Sequence, residues 1–145
     1  AYRFTVASDS AHAFFFQHLT SDFDFELLDA SGKAYKATAT EPGKKSGVFA
    51  PFFGQSALTG KLIGELANNT SAYLLCCYAK RLDDGNFAVV LKPAQEGIRN
   101  TDEVAAATAL NLSIEECIND CPEQYQWNYK RFRRRPEGRS KLYKK

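Results

Sequence analysis

At 145 residues the chain has the length of one domain, long enough to bury a sizeable core. Its 44% hydrophobic and 25% charged content is ordinary for a soluble globular protein, and it shows no internal repeat and no low-complexity tract. No apolar run approaches the roughly 20 residues that a membrane-crossing helix needs, and no secretory signal is present. Of 19 Lys/Arg and 17 Asp/Glu, nine bases and one acid fall in residues 130–145. The first 129 residues therefore hold ten bases and sixteen acids, so a net charge of +2 conceals a sorting of charge along the chain.

Residues 1–40 are aromatic-rich. In "FDFELLDASGKAYKATAT" (23–40), Phe23, Phe25 and Leu27 alternate with Asp24 and Glu26, the period of a half-buried strand. The turn residues that follow predict a hairpin with the alternation in "KAYKATAT". "EPGKKSG" (41–47) is a loop, and "VFAPFFGQ" (48–55) is a short extended piece leading through a turn into a helix. That helix is expected over 57–68, where Leu58, Leu62 and Leu66 recur at i, i+4 and i+8 beside Ile63. "AYLLCCYAKR" (72–81) and "NFAVVLKPA" (86–94) are strands joined by the Asp-Gly turn of "LDDG". Asn100 with Glu103 has the form of a capping pair. Val104, Ala107, Leu110, Ile114, Cys117, Ile118 and Cys121 then trace one helical stripe, which Pro122 ends. "PEQYQWNYKRF" (122–132) is compatible with a new short helix, because Pro suits a first turn. The order is that of an α/β or α+β chain.

The four cysteines, Cys76, Cys77, Cys117 and Cys121, lack the spacing of a zinc ribbon or a redox motif. They are expected to be buried and reduced, with no metal site. The absence of Met, a starting Met included, is what a mature product or an excerpt of a longer chain would show.

The stretch "CPEQYQWNYKRFRRRPEGRSKLYKK" (121–145) carries the functional signal. Arginine forks bind phosphate or carboxylate with two hydrogen bonds, so Lys130, Arg131, Arg133, Arg134 and Arg135 are candidate ligands for an anion. Three readings fit the composition: an aromatic-anchored C-terminal helix with a cationic tail, a site for anionic lipid, and a nucleic-acid patch. No nucleic-acid-binding motif accompanies the last, and the rest of the chain is acidic, so nucleic acid is the unlikely partner. Trp127 and Phe132 are expected to pack rather than bind.

"PEQYQWNYKRFRRRPEG" (122–138) resembles the C-terminal signature of the bacterial lipid A biosynthesis acyltransferases, the lauroyl/myristoyl transferase family. "GVFAPFFGQSALTGKL" (47–62) is similar to that family's Phe-x-Pro-Phe-Phe-Gly segment, and "YLLCCYAKRLDDGNFAVVL" (73–91) to its strand, Arg, Asp-Gly turn and strand. The resemblance covers about 41–143. It implies an α/β, acyltransferase-like mixed sheet with flanking helices, incomplete relative to the family, and leaves residues 1–40 as an unassigned segment.

For function, the resemblance implies transfer of a fatty acyl chain from acyl carrier protein to a Kdo-bearing lipid A precursor, at the cytoplasmic face of the bacterial inner membrane. The acyl donor is the only co-reactant, and no cofactor is implied. Lys130, Arg131, Arg133, Arg134 and Arg135 would line the site for phosphates and Kdo carboxylates or lie on the anionic membrane face, with Arg81 assisting. An ion pair of Arg81 with Asp83 or Asp84 is the structural alternative. The family's His-x4-Asp/Glu pair has no counterpart: His12 is followed by Phe16 and Gln17, and His18-x3-Asp22 is one residue short. His18 and Asp22 are the nearest catalytic candidates. The chain alone is expected to be inactive, and a non-catalytic module for anionic lipid or nucleic acid is the rival reading.

Overall fold

The computed structural model describes residues 12–16, 27–28, 34–35, 47–69 and 73–143, the first three stretches by their backbone. Strand β1 (His12–Phe16) runs parallel to β6 (Tyr73–Arg81), which pairs antiparallel with β7 (Phe87–Pro93), giving a mixed sheet of order β1-β6-β7. β2 (Leu27–Leu28) and β3 (Ala34–Tyr35) form a minimal antiparallel pair where a hairpin was expected. β4 (Gly47–Phe52) and β5 (Gln55–Gly60) form a second hairpin. Among the described residues, helices α1 (Leu62–Asn69) and α2 (Glu103–Asp120) complete the regular structure, with one-turn 3-10 helices at Glu96–Arg99 and Pro122–Gln124. This is the mixed α/β architecture expected of a partial acyltransferase-like fold.

The expected helix over 57–68 is corrected in its first half, because 55–60 is a strand. The closing pair Phe52–Gln55 leaves a two-residue loop, and both loop residues take positive φ, Phe53 at 45° and Gly54 at 72°. That is the turn whose twist suits a tight hairpin. The far end of the hairpin demands a small residue, since a Cβ on Gly47 would stand 2.9 Å from the Thr59 carbonyl oxygen. The leucine spacing misled because it tracks the wrong side: Leu62 and Leu66 are exposed, and α1 is held by buried Ala67 with Ile63 beside it.

Helix α2 is the central element. Its cap is Asp102, whose carboxylate accepts from the Ala105 N–H at 2.7 Å, rather than the expected Asn100–Glu103 pair. Asn100 accepts from the Asp102 N–H one step earlier, and Glu103 pairs instead with Lys61 at 2.8 Å, tying the start of α1 to the start of α2. The buried side of α2 is wider and smaller than the predicted stripe: Ala106, Ala107, Ala109, Leu110, Asn111, Ser113 and Ile118 are inside, and Val104 is exposed. Small side chains let neighbouring backbone approach closely.

Two apolar clusters follow from this packing. Ala67, Ile98, Ala109 and Leu110 gather Ile63, Leu74, Ala94 and Ile114 around one end of the helix. Phe52, Ala57 and Ile118 gather Ile114, Tyr125 and Phe132 around the other. The second cluster joins the β4–β5 hairpin to the C-terminal segment.

All four cysteines are free thiols. Cys76, Cys77 and Cys121 are buried and Cys117 is half-buried. Burial pushes the Cys77 thiol up to about 11, so it stays protonated at neutral pH. Among the described residues no helix is long and apolar enough to cross a membrane.

Candidate anionic-ligand site

Pro122 ends α2 as expected, but no new helix begins there beyond one 3-10 turn. From Tyr125 onward the chain runs through successive turns, so the short helix with which 122–132 is compatible does not extend past Gln124. Side chains hold the segment instead. Gln124 acts as a strand mimic at the end of β6: its Oε1 accepts from the Arg81 N–H at 2.7 Å and its Nε2 donates to the Arg81 carbonyl at 3.0 Å. The Trp127 indole N–H donates to the Pro122 carbonyl at 2.7 Å. Farther along, the Tyr143 hydroxyl accepts from the Phe132 N–H at 3.1 Å.

Arg131 is the anchor. Its Nη1 donates to the Leu58 carbonyl at 2.6 Å, and its Nη2 reaches Thr59 Oγ1 at 3.1 Å and Asn111 Oδ1 at 3.3 Å. The guanidinium lies 5.2 Å from the centroid of the Phe52 ring, a cation over an aromatic face. Asn111 is fully buried and turns its amide nitrogen to the Pro51 carbonyl at 2.7 Å and to Thr59 Oγ1 at 3.0 Å. One network thus joins β4, β5, α2 and the basic segment. Burial lowers the Arg131 pKa, yet a guanidinium remains a cation at neutral pH.

The other predicted cations are placed around this anchor. Arg135 is half-buried and donates through Nη1 to the Ser56 carbonyl at 3.3 Å, while its Nε is buried without a partner among the described residues. Arg134 is half-buried, and Lys130 and Arg133 are exposed. Lys130 lies 6.0 Å from the Tyr143 ring centroid. Arg81 shares the segment only through its backbone; its guanidinium stands 5.6 Å from the Phe87 centroid. The alternative ion pair with Asp83 or Asp84 is not formed, and Asp84 instead accepts from the Asn86 N–H at 2.9 Å and the Asn86 amide at 3.0 Å. His18 and Asp22 lie outside the described residues, and His12 falls within β1.

Aromatic side chains border the cations. Phe53 is held at its positive φ by a 2.7 Å hydrogen bond from its N–H to Glu115 Oε1. Its ring lies 6.0 Å from that of Trp127, which is 4.8 Å from Tyr125. Phe132 packs on Phe52 at 6.1 Å, as expected of a packing residue, whereas Trp127 is 60% exposed. The exposed side chains here include Phe53, Trp127 and Tyr129 and the cations Lys130 and Arg133. Such a surface can hold a phosphate or carboxylate while resting aromatic rings against an apolar–water boundary. Among the described residues no group of three metal-ligating side chains occurs.

Sequence reasoning missed Gln124, Thr59 and Asn111, which place the segment, and Glu115, which holds the hairpin loop at Phe53. The one available signal was Asn111, a polar residue on the inward side of an apolar helix, where burial requires hydrogen-bond partners.

Over residues 37–134 the chain matches the family described as bacterial lipid A biosynthesis acyltransferase. It is 36% identical over 103 residues to a lipid A biosynthesis palmitoleoyltransferase of Escherichia coli (strain K12), covering 70% of this chain and 33% of that protein. The figures are the same for a lipid A biosynthesis acyltransferase of Shigella flexneri. A lipid A biosynthesis lauroyltransferase of Escherichia coli (strain K12) is 34% identical over 98 residues, 66% of this chain and 32% of the relative. The chain thus spans about one third of the length of the curated relatives it matches.

Proposed function

The chain belongs to the bacterial lipid A biosynthesis acyltransferase family, and from that premise we propose that it supplies the acceptor-binding part of an enzyme that acylates a lipid A precursor. The acyl chain comes from acyl carrier protein, and the reaction takes place at the cytoplasmic face of the inner membrane. The observation that carries this reading is the folded basic segment. Arg131 fixes it to the hairpin, and Lys130 and Arg133 are exposed on the same segment as the exposed Trp127 and Tyr129.

In this reading Lys130, Arg133, Arg134 and Arg135 face the phosphates and Kdo carboxylates of the acceptor, where cations lower the cost of holding several anionic groups together. Arg131 is a positioning residue, because its fork is directed to protein acceptors. The exposed aromatics sit at headgroup depth, where amphipathic rings are favoured. The chemistry is thioester to ester: the acceptor hydroxyl loses its proton to a base, its oxygen takes the acyl group, and the carrier thiolate leaves and is reprotonated. The family's His-x4-Asp/Glu base has no counterpart in these 145 residues, so they serve the acceptor and not the proton transfer.

The test is sedimentation with vesicles carrying the lipid A precursor. Binding is expected to fade with salt. It is also expected to weaken by roughly thirtyfold in Lys130→Ala plus Arg133→Ala, from about 1 kcal/mol per surface cation. Equal binding to neutral vesicles, preference for RNA, or indifference to the double substitution would defeat the reading.

A further inference from the structure

We infer that Cys76 and Cys117 form a redox-responsive thiol pair, which closes into a disulfide under a peroxide-class oxidant and fastens α2 to β6. Contacts on either side of the pair bring the thiols together. Along β6, Leu74 packs against the cluster that includes Leu110, and the Tyr78 hydroxyl and Lys80 ammonium reach Asp120 at 2.6 and 3.2 Å. Strand side chains alternate, so Cys76, midway between Leu74 and Tyr78, faces the same helix. Cys117 lies on α2 one turn before Asp120 and one turn after Ser113, on the side those contacts select. The Cys76 and Cys117 thiols meet there in a hydrogen bond, and Ser113 bonds to Cys76 from the preceding turn.

The other two thiols are placed differently. Cys77 points to the opposite side of the strand from its neighbour, and Cys121 is the cap residue at the end of α2. Accessibility separates the roles within the pair, since Cys76 is 4% exposed and Cys117 is half-buried. The hydrogen bond from Cys76 and the Lys92 ammonium hold the Cys117 thiol below its ordinary value, against burial and the Glu116 and Asp120 carboxylates. Lys92 is brought there by the ladder, in which it is the partner of Cys76. The same hydrogen bond, together with burial, pushes Cys76 up. Cys117 is thus the thiol that ionises and meets the oxidant, and Cys76 is the one that resolves the product.

The chemistry balances with hydrogen peroxide as the oxidant. The Cys117 thiolate attacks one peroxide oxygen and the O–O bond breaks. The departing hydroxide takes up the proton that Cys117 released, leaving a sulfenic acid and water. Cys76 then attacks the sulfenic sulfur; its own proton leaves with the expelled hydroxide as a second water, and an S–S bond remains. Two thiols lose two electrons, and one peroxide is reduced to two waters. Closure brings the sulfurs from hydrogen-bond contact to about 2.05 Å, a short travel between elements already tied together on both sides. Such bonds are transient in a reducing compartment, so reversal by a thiol belongs to the expectation.

The experiment treats the full 145-residue chain with hydrogen peroxide and reads the unreduced product by tandem mass spectrometry; the chain has no Met to compete for the oxidant. A Cys76–Cys117 linkage is expected, two hydrogens lighter than the thiol form and reversed by dithiothreitol. Cys77→Ser plus Cys121→Ser is expected to keep the linkage. Cys76→Ser is expected to stop at a Cys117 sulfenic acid that dimedone traps. In the doubly substituted chain, oxidation is expected to raise the urea midpoint by about 1 M or more, because the bond closes a loop of about 40 residues. No lipid enters the assay, so its outcome is separate from that of the vesicle test. Absence of a disulfide, linkage through Cys77 or Cys121, linkage only between two copies of the chain, or a midpoint unchanged or lowered by oxidation would each overturn the inference.

Discussion

Replacing Arg131 with Ala separates a clamp from a ligand. The side chain makes a 2.6 Å bond to the Leu58 carbonyl and contacts at 3.1 and 3.3 Å to Thr59 Oγ1 and Asn111 Oδ1. Hydrogen bonds from a charged donor contribute about 1.5–3 kcal/mol each in favourable cases, and the Phe52 contact adds about 0.5–2 kcal/mol. Against these stands the relief of desolvating the guanidinium, several kcal/mol in a half-buried place. The net loss for Arg131→Ala is therefore about 2–4 kcal/mol. With a urea dependence of about 2 kcal/mol per molar for a domain of this size, the midpoint should fall by about 1–2 M. Trp127, on the held segment, reports by fluorescence. Arg131→Lys should recover less than half, because an ammonium lacks the fork that reaches both β5 and α2. Lys130→Ala, at an exposed site, should move the midpoint by less than about 0.3 M. If Arg131→Ala left the midpoint in place while abolishing vesicle binding, Arg131 would be a ligand and the clamp reasoning would fail.

Three further outcomes follow from local geometry. Gly54→Ala meets no atom within 4 Å but must keep φ near 72°, so a loss of about 1 kcal/mol is expected from conformation alone, read as a lower urea midpoint. Gly47→Ala places a methyl group 2.9 Å from the Thr59 carbonyl oxygen, and a loss of about 1–3 kcal/mol is expected with weakened amide protection along β4 and β5. The Tyr78 hydroxyl and the Lys80 ammonium hold the Asp120 carboxyl below its ordinary value of 3.8. A depressed carboxyl stabilises the fold above its unfolded value and loses that contribution as pH falls through the folded one. Asp120→Asn should therefore lower the urea midpoint at neutral pH, and the difference should close as the pH falls below about 4.

What the sequence made legible was the part governed by local pairing. The β6–β7 hairpin follows from an Asp-Gly turn between two apolar runs, and the stop of α2 follows from Pro122; both lie within a residue or two of expectation. β5 was hidden because "ALTGKL" satisfies a helical period by coincidence. What makes 55–60 a strand is pairing with β4 and the positive φ of a phenylalanine, which no propensity anticipates. The candidate site was legible in composition and not in arrangement. The five cations of 130–135 stand out in a list of residues, but whether a guanidinium turns outward or inward depends on acceptors far away in sequence. Leu58 and Thr59 lie 73 and 72 residues from Arg131, and Asn111 lies 20 residues from it.

Five cations within six residues repel one another, by about 1 kcal/mol for a close pair in water and several times that where solvent is thinned. A solvated tail would relieve this by spreading. Here the segment is bent back by Arg131 and Arg135 onto the hairpin carbonyls of Leu58 and Ser56 and by Gln124 onto Arg81, so the charges stay close without regular structure between them. Neutral carbonyls lower that repulsion only in part. A multivalent anion bound by the segment would lower it further and would therefore stabilise the folded segment itself, by RT ln(1 + [L]/Kd). The prediction is reciprocal. Substitutions that loosen the segment far from any ligand, at Gln124 or Asn111, should weaken anion binding, while saturating anion should recover part of the midpoint lost in those variants. If the two effects were unlinked, the clamp and the cationic surface would belong to separate parts of the molecule.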